Sequence, residues 1–177
     1  MRLFIAIEFD EISEYIKDIQ AQLPSFNGSK PKNFHLTLKF LGEVEEDKIK
    51  SIKDIIKKIK FQSLNLTTSE IGFFPSENYI NVIWLGLKNG DKVIELHNLI
   101  DSLLPSFPQD IRFHPHITLA RVKFIPQKQE FVKQIKEIKL EPKSVSISSF
   151  KLVKSTLTPV GPIYETLEEY PLRDKIQ

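Results

Sequence analysis

Cysteine is absent from the 177 residues of this chain. A disulfide framework, a thiolate zinc site and a cysteine nucleophile are therefore excluded, and an ordinary reducing interior is the expected setting. Net charge is also scarce, since 25 Lys and Arg against 23 Asp and Glu leave only +2. That is too little to hold a polyanion by bulk attraction, so any contact with nucleic acid has to be local. No apolar run approaches membrane-spanning length, and the opening Met-Arg-Leu-Phe-Ile-Ala-Ile-Glu reaches Glu8 before a signal-peptide core could be completed. The expectation is a cytoplasmic monomer with no membrane partner. Arginine is the rare basic residue, found only at Arg2, Arg112, Arg121 and Arg173. Where it stands, the default lysine was passed over.

What is present is 41% hydrophobic and 27% charged residues, enough to build a core as one domain or as two small intimate lobes. Disorder and fibrous arrays are excluded. Residues 2 to 8 and 34 to 41 read as short strands, and Ile12, Tyr15, Ile16, Ile19 and Leu23 between them fall at helical spacing. Asp10 is placed to cap that helix, and Pro24 with Asn27-Gly28 ends it and opens a loop. Ile49, Ile52, Ile56 and Ile59 predict a second amphipathic helix, followed by a strand near 63 to 73. Its lysine-rich outer face is a solvated surface before it is an RNA patch.

After Phe-Phe-Pro-Ser at 73 to 76 the same order returns: a strand at 79 to 87, a helix at 91 to 104 and an apolar strand at 116 to 122. A fourth helix over 127 to 138 follows Pro126, and strands at 144 to 153 and 162 to 168 complete the chain. The expected fold class is α+β: one bilobal domain over 1–177, whose halves of about 1–74 and 78–169 repeat a β-α-β-α-β plan. Each half is expected to form its own sheet, with two helices outside and a cleft between the sheets.

The repeat is sharpest where His35-Leu36-Thr37-Leu38 is answered by His116-Ile117-Thr118-Leu119, 81 positions later. Strand alternation puts His35 and Thr37 on one face and the leucines on the other, and likewise for the second copy. Burying the leucine and isoleucine faces leaves two imidazoles and two hydroxyls facing the cleft. Imidazole titrates near neutrality, so one histidine can accept a proton while its partner donates one. With threonine hydroxyls donating to non-bridging oxygens, such a pair suits displacement at phosphorus. A zinc site would need further ligands, and positions 37, 39, 118 and 120 on these strands offer none.

The stretch Asn33-Phe34-His35-Leu36-Thr37-Leu38-Lys39-Phe40-Leu41-Gly42-Glu43-Val44, with His114-Pro115-His116-Ile117-Thr118-Leu119-Ala120-Arg121, resembles the paired His-x-Thr-x signature of the 2H phosphoesterase superfamily. Arg2-Leu3-Phe4-Ile5-Ala6-Ile7, Gly72-Phe73-Phe74-Pro75 and Trp84-Leu85-Gly86-Leu87 are similar to its RNA 2′,3′-cyclic phosphodiesterase branch, historically called 2′-5′ RNA ligase. The resemblance implies metal-independent, cofactor-free hydrolysis of a 2′,3′-cyclic phosphate on RNA ends to a 2′-phosphate, with reversible 2′-5′ joining in some members. It further implies His35 as proton donor, His116 as proton acceptor, Thr37 and Thr118 as phosphate-binding hydroxyls, and Arg121 as a phosphate contact. Two alternatives remain open at this point: another 2H reaction, such as 3′-end trimming or opening of a small cyclic phosphate, and a non-catalytic RNA-binding module.

Parity complicates the neighbours. Arg121 lies five residues beyond His116, so a regular strand turns it away from the cleft and only a bulge, a strand end or strong twist would bring it back. Lys39 has the parity of His35 and Thr37 and is expected at the cleft as a possible phosphate contact. His114 shares the parity of His116 and is a further contact candidate, held in extended backbone by Pro115. His97 falls beside the apolar stripe of the third helix and reads as structural. Phe74, Tyr79 and Phe113 are candidates to stack on a base.

Overall fold

The computed structural model describes residues 1–174. Four helices and two antiparallel sheets form an α+β molecule with a single large apolar core. The first half runs β1 (Arg2–Glu8), α1 (Ser13–Ala21), β2 (Asn27–Ser29), β3 (His35–Glu43), α2 (Glu46–Ile56) and β4 (Leu64–Ser76). The second runs β5 (Tyr79–Lys88), α3 (Asp91–Leu103), β6 (His116–Phe124), α4 (Lys128–Lys136), β7 (Ser144–Ile147), β8 (Ser149–Thr158) and β9 (Gly161–Pro171).

The helices bury the stripes their spacing predicts. Ile16 and Ile19 of α1, Ile52 and Ile56 of α2, Val93, Leu96 and Ile100 of α3, and Phe131 and Ile135 of α4 all enter the core. Each such side chain contributes about 1.5–3 kcal/mol on leaving water. Asp10 does not cap α1: it opens a short 3-10 turn, Asp10–Ile12, and the helix begins after it with no side-chain cap bond.

The halves do not each build a sheet of their own. One sheet has the order β3-β1-β8-β9 and the other β2-β6-β5-β4-β7. The cores of the two orders correspond, β3-β1-β8 in one and β6-β5-β4 in the other, so the first half passes β4, and the second half β8 with β9, to its partner's sheet. The segment 144 to 153, read from sequence as one strand, is divided at Ser148 between both sheets. Asn27-Gly28, read as a loop, forms the edge strand β2 along β6. Glycine is required there, since a Cβ on Gly28 would lie 2.1 Å from the Arg121 carbonyl oxygen.

The two histidine-bearing strands share an irregularity. In β3, Ala6 pairs with Thr37 and Ile5 with Lys39, leaving Leu38 as an extra residue. In β6, Trp84 pairs with Thr118 and Ile83 with Ala120, leaving Leu119 extra. The bulges fall 81 positions apart, the separation of the histidines. Each resets the alternation, so two successive side chains are buried and the next one faces out.

Candidate active site

A cleft of about 1150 Å³ between the sheets is lined by His35 and Thr37 from β3 and by His116, Thr118 and Arg121 from β6. The bulge at Leu119 is what returns Arg121 to this face. Its positive charge lowers the proton affinity of His35 and His116 and favours the ionised form of Tyr164, which places all four groups in one electrostatic neighbourhood. Among the described residues no carboxylate lies within ion-pair range of Arg121. Arg2, Lys30, Lys32 and Arg112 also line the cleft. The small net charge is therefore locally positive here, as an anionic ligand requires.

The histidines differ in their surroundings. His116 donates from Nδ1 to the His114 carbonyl at 2.7 Å, which leaves Nε2 as its acceptor. Burial lowers its pKa, and the bond to His114 partly opposes that shift. The His35 ring lies against Phe4 at 5.1 Å and edge-on to Tyr164 at 5.3 Å. Burial first, then Arg121 and His116, bring its pKa down to about 4. These positively charged or chargeable groups disfavour positive charge on one another.

The bulge at Leu38 buries Lys39 in the wall of the cleft. Its side chain is on the buried face, 2% exposed, paired with Asp101 and donating to the Pro108 carbonyl at 2.8 Å. Lys39 is part of the cleft lining, but its ammonium is tied to Asp101 and Pro108 in the wall. Phe40 takes the outward position instead, 60% exposed and lining the cleft, 81 residues before Arg121. Spacing alone missed Phe40; a buried doublet at Leu38-Lys39 was the signal, and only the sheet register exposes it.

Of the remaining candidates, His114, Phe74 and Phe113 line the cleft and Tyr79 lies outside its lining. His114 is exposed at the cleft, its ring on Trp84 at 4.8 Å and its carbonyl holding His116. Phe74 sits edge-on to His116 at 4.9 Å and beside Trp84 at 5.0 Å, a wall of the site. Phe113 is stacked on His97 at 3.9 Å, and Tyr79 is exposed in the β4–β5 hairpin. Tyr164 of β9, which no motif marked, joins the cleft beside His35, and burial raises its pKa. No cluster of three or more His, Asp or Glu arranged to hold a metal occurs among the described residues. No helix among them is long and apolar enough to cross a membrane.

A duplicated α+β architecture with two matching histidine strands facing one cleft defines a phosphoesterase-like class, and comparison with known proteins gives the family. The model for "LigT like Phosphoesterase" matches twice, over residues 7–84 and 85–164. The RNA 2′,3′-cyclic phosphodiesterase of Methanocaldococcus jannaschii is 40% identical over 177 residues, covering 96% of this chain and 100% of its own. That of Thermotoga maritima is 38% identical, covering 96% and 94%. Among solved structures, TT0787 of Thermus thermophilus superposes with a TM-score of 0.81 at 27% identity, covering 99% of this chain and 100% of its own. Escherichia coli LigT complexed with 3′-AMP superposes with a TM-score of 0.79 at 29% identity over 98% of both chains. The chain belongs to the LigT-like 2H phosphoesterases, a family of enzymes.

Proposed function

We propose that this enzyme opens the 2′,3′-cyclic phosphate at RNA ends to a 2′-phosphate, by metal-independent acid and base catalysis from His35 and His116. The observation that carries the reading is the meeting of two equivalent strands at one cleft, with a histidine and a threonine from each and Arg121 beside them. The names of the curated relatives support the substrate class.

His116 Nε2, its tautomer fixed through Nδ1, takes a proton from water as the water oxygen bonds to phosphorus. The bond from phosphorus to O3′ breaks, and His35 gives its proton to the departing O3′. Thr37 and Thr118 donate hydrogen bonds to the non-bridging oxygens, and the Arg121 fork balances their charge. Burial, Arg121 and His116 hold the His35 pKa low. A bound phosphate anion offsets Arg121 and His116, so substrate binding draws in the proton that His35 later donates. With a 5′-hydroxyl in place of water, the same two transfers form a 2′-5′ linkage, which supports reversible joining. The site is complete within one chain, which supports a working monomer, and RNA ends as substrate support the cytoplasm as its location.

The test is hydrolysis, in EDTA, of a short RNA ending in a 2′,3′-cyclic phosphate. A 2′-phosphate product from wild type, with losses of at least ~100-fold in His35→Ala and His116→Ala, is expected. A 3′-phosphate product, a metal requirement or undiminished activity in either variant would sink the reading; RNA binding without turnover would turn it toward a binding module.

A further inference from the structure

A bulge takes a residue out of its sheet ladder, and a buried carbonyl released in this way needs another donor. At Leu38 and Leu119 the donors come from the helix of the opposite half. Gln20 on α1, 6% exposed, donates from Nε2 to the Leu119 carbonyl at 2.9 Å. The same nitrogen donates to the Pro31 carbonyl at 3.0 Å, in the segment that leads into β3. His97 on α3, 2% exposed, donates from Nδ1 to the Leu38 carbonyl at 2.6 Å. Its Nε2 meets the Asp110 carbonyl at 3.2 Å, in the segment that leads into β6.

The two arrangements are counterparts. Each side chain ties the approach to its own half's histidine strand to the bulge in the other half's strand. Amide and imidazole solve the same problem, since each offers an N–H to the carbonyl that the bulge releases. Asp101 lies 3.5 Å from His97 Nε2 and also pairs with Lys39, which extends the connection on the β3 side.

We infer that Gln20 and His97 are positioning residues that lock the paired bulges and so hold Arg121 and Phe40 in the cleft, each half of the chain setting the site geometry of the other. A strand that lost its bulge would regain simple alternation, and every side chain beyond would change face. In β6 that would turn Arg121 away and bring Ala120 forward. In β3 it would turn Phe40 away and bring Lys39 out of its buried pair. The activity arm of the test rests on the proposed phosphodiesterase reaction; the lock itself does not.

The experiment compares Gln20→Met and His97→Phe, which keep bulk but remove the donors, with His97→Gln, which substitutes the donor used by the other half. Folding is checked by circular dichroism and thermal melting. With the cyclic-phosphate RNA, Gln20→Met is expected to raise KM by ~10-fold or more with a smaller effect on kcat, because Thr118 and Arg121 are the groups disturbed. His97→Phe is expected to lose ~10-fold in kcat/KM and His97→Gln to remain within ~3-fold of wild type. Without substrate, amide exchange should quicken at Leu119–Arg121 in Gln20→Met and at Leu38–Phe40 in His97→Phe, but not in His97→Gln. Release of Arg121 in Gln20→Met should also move the NMR titration of His35 upward. Unchanged exchange and unchanged KM in folded Gln20→Met, or a His97→Gln as impaired as His97→Phe, overturns the inference. If His97→Phe does not fold, His97→Gln decides: retained protection supports the lock and lost protection overturns it. If wild type does not turn over the RNA, the reaction is refuted while the exchange and titration arms still judge the lock.

Discussion

Phe40 and Arg121 occupy the same position in matching strands, each the first outward-facing residue after its bulge, and they give one cleft two unlike walls. One wall offers a planar cation and the other an exposed aromatic face. A terminal nucleotide presents a phosphate and a base, and these walls suit one each.

The two walls should separate in kinetics. Arg121→Lys keeps the charge but loses the fork, and is expected to raise KM for the cyclic-phosphate RNA by ~10-fold without restoring wild-type behaviour over Arg121→Ala. Phe40→Ala removes a stacking surface of about 1–3 kcal/mol per base, a loss of roughly 5- to 150-fold in affinity. That loss should vanish with a small cyclic phosphate lacking a base. Steady-state kinetics on both substrates decides, and an equal Phe40→Ala effect on both would exclude stacking.

The pKa of His35, held at about 4 against an ordinary 6.5, makes stability depend on pH. Between those values the unfolded chain binds the proton and the folded protein resists it, so this contribution is full above pH 6.5 and is lost as pH falls toward 4. His116 is shifted in the same direction. Urea unfolding at about pH 7 and about pH 4.5 should show a smaller acid loss for His35→Phe than for wild type. Calorimetry of a bound phosphate analogue at about pH 6, in buffers of different ionisation enthalpy, should report proton uptake. Equal acid losses in variant and wild type would remove His35 from this account.

Lys39 is expected to act on stability rather than on RNA affinity. Lys39→Met leaves the half-buried Asp101 charge, 14% exposed, without its main partner, at a cost of up to about 3 kcal/mol. A second change, Asp101→Leu, should recover much of it, because an apolar pair avoids desolvating two charges. Urea midpoints with KM measured alongside provide the check. A raised KM at unchanged stability would make Lys39 a substrate contact instead.

The contrast between Lys39 and Arg121 marks how far the sequence could be read. Both predictions used period-two alternation, which holds as far as Thr37 and Thr118. Beyond them it fails by one residue in each strand. It placed Lys39 at the cleft, where the bulge buries it, and turned Arg121 away unless a bulge intervened, as one does. A bulge is a relation between two strands, and its partner strand lies far away in the chain. The exchange of β4 and β8 was hidden for the same reason: propensity marks a strand but does not name its neighbour.

By itself the sequence determined the helices, most strands, the duplication and the paired His-x-Thr-x runs, because these rest on local periodicity and side-chain type. Tertiary structure decided which strands pair, where Leu38 and Leu119 leave the ladder, and hence that Arg121 and Phe40 are exposed in the cleft while Lys39 is buried in its wall. It also decided the proton affinity of His35, which depends on burial and on charges that reach it only once β3 and β6 meet across the cleft.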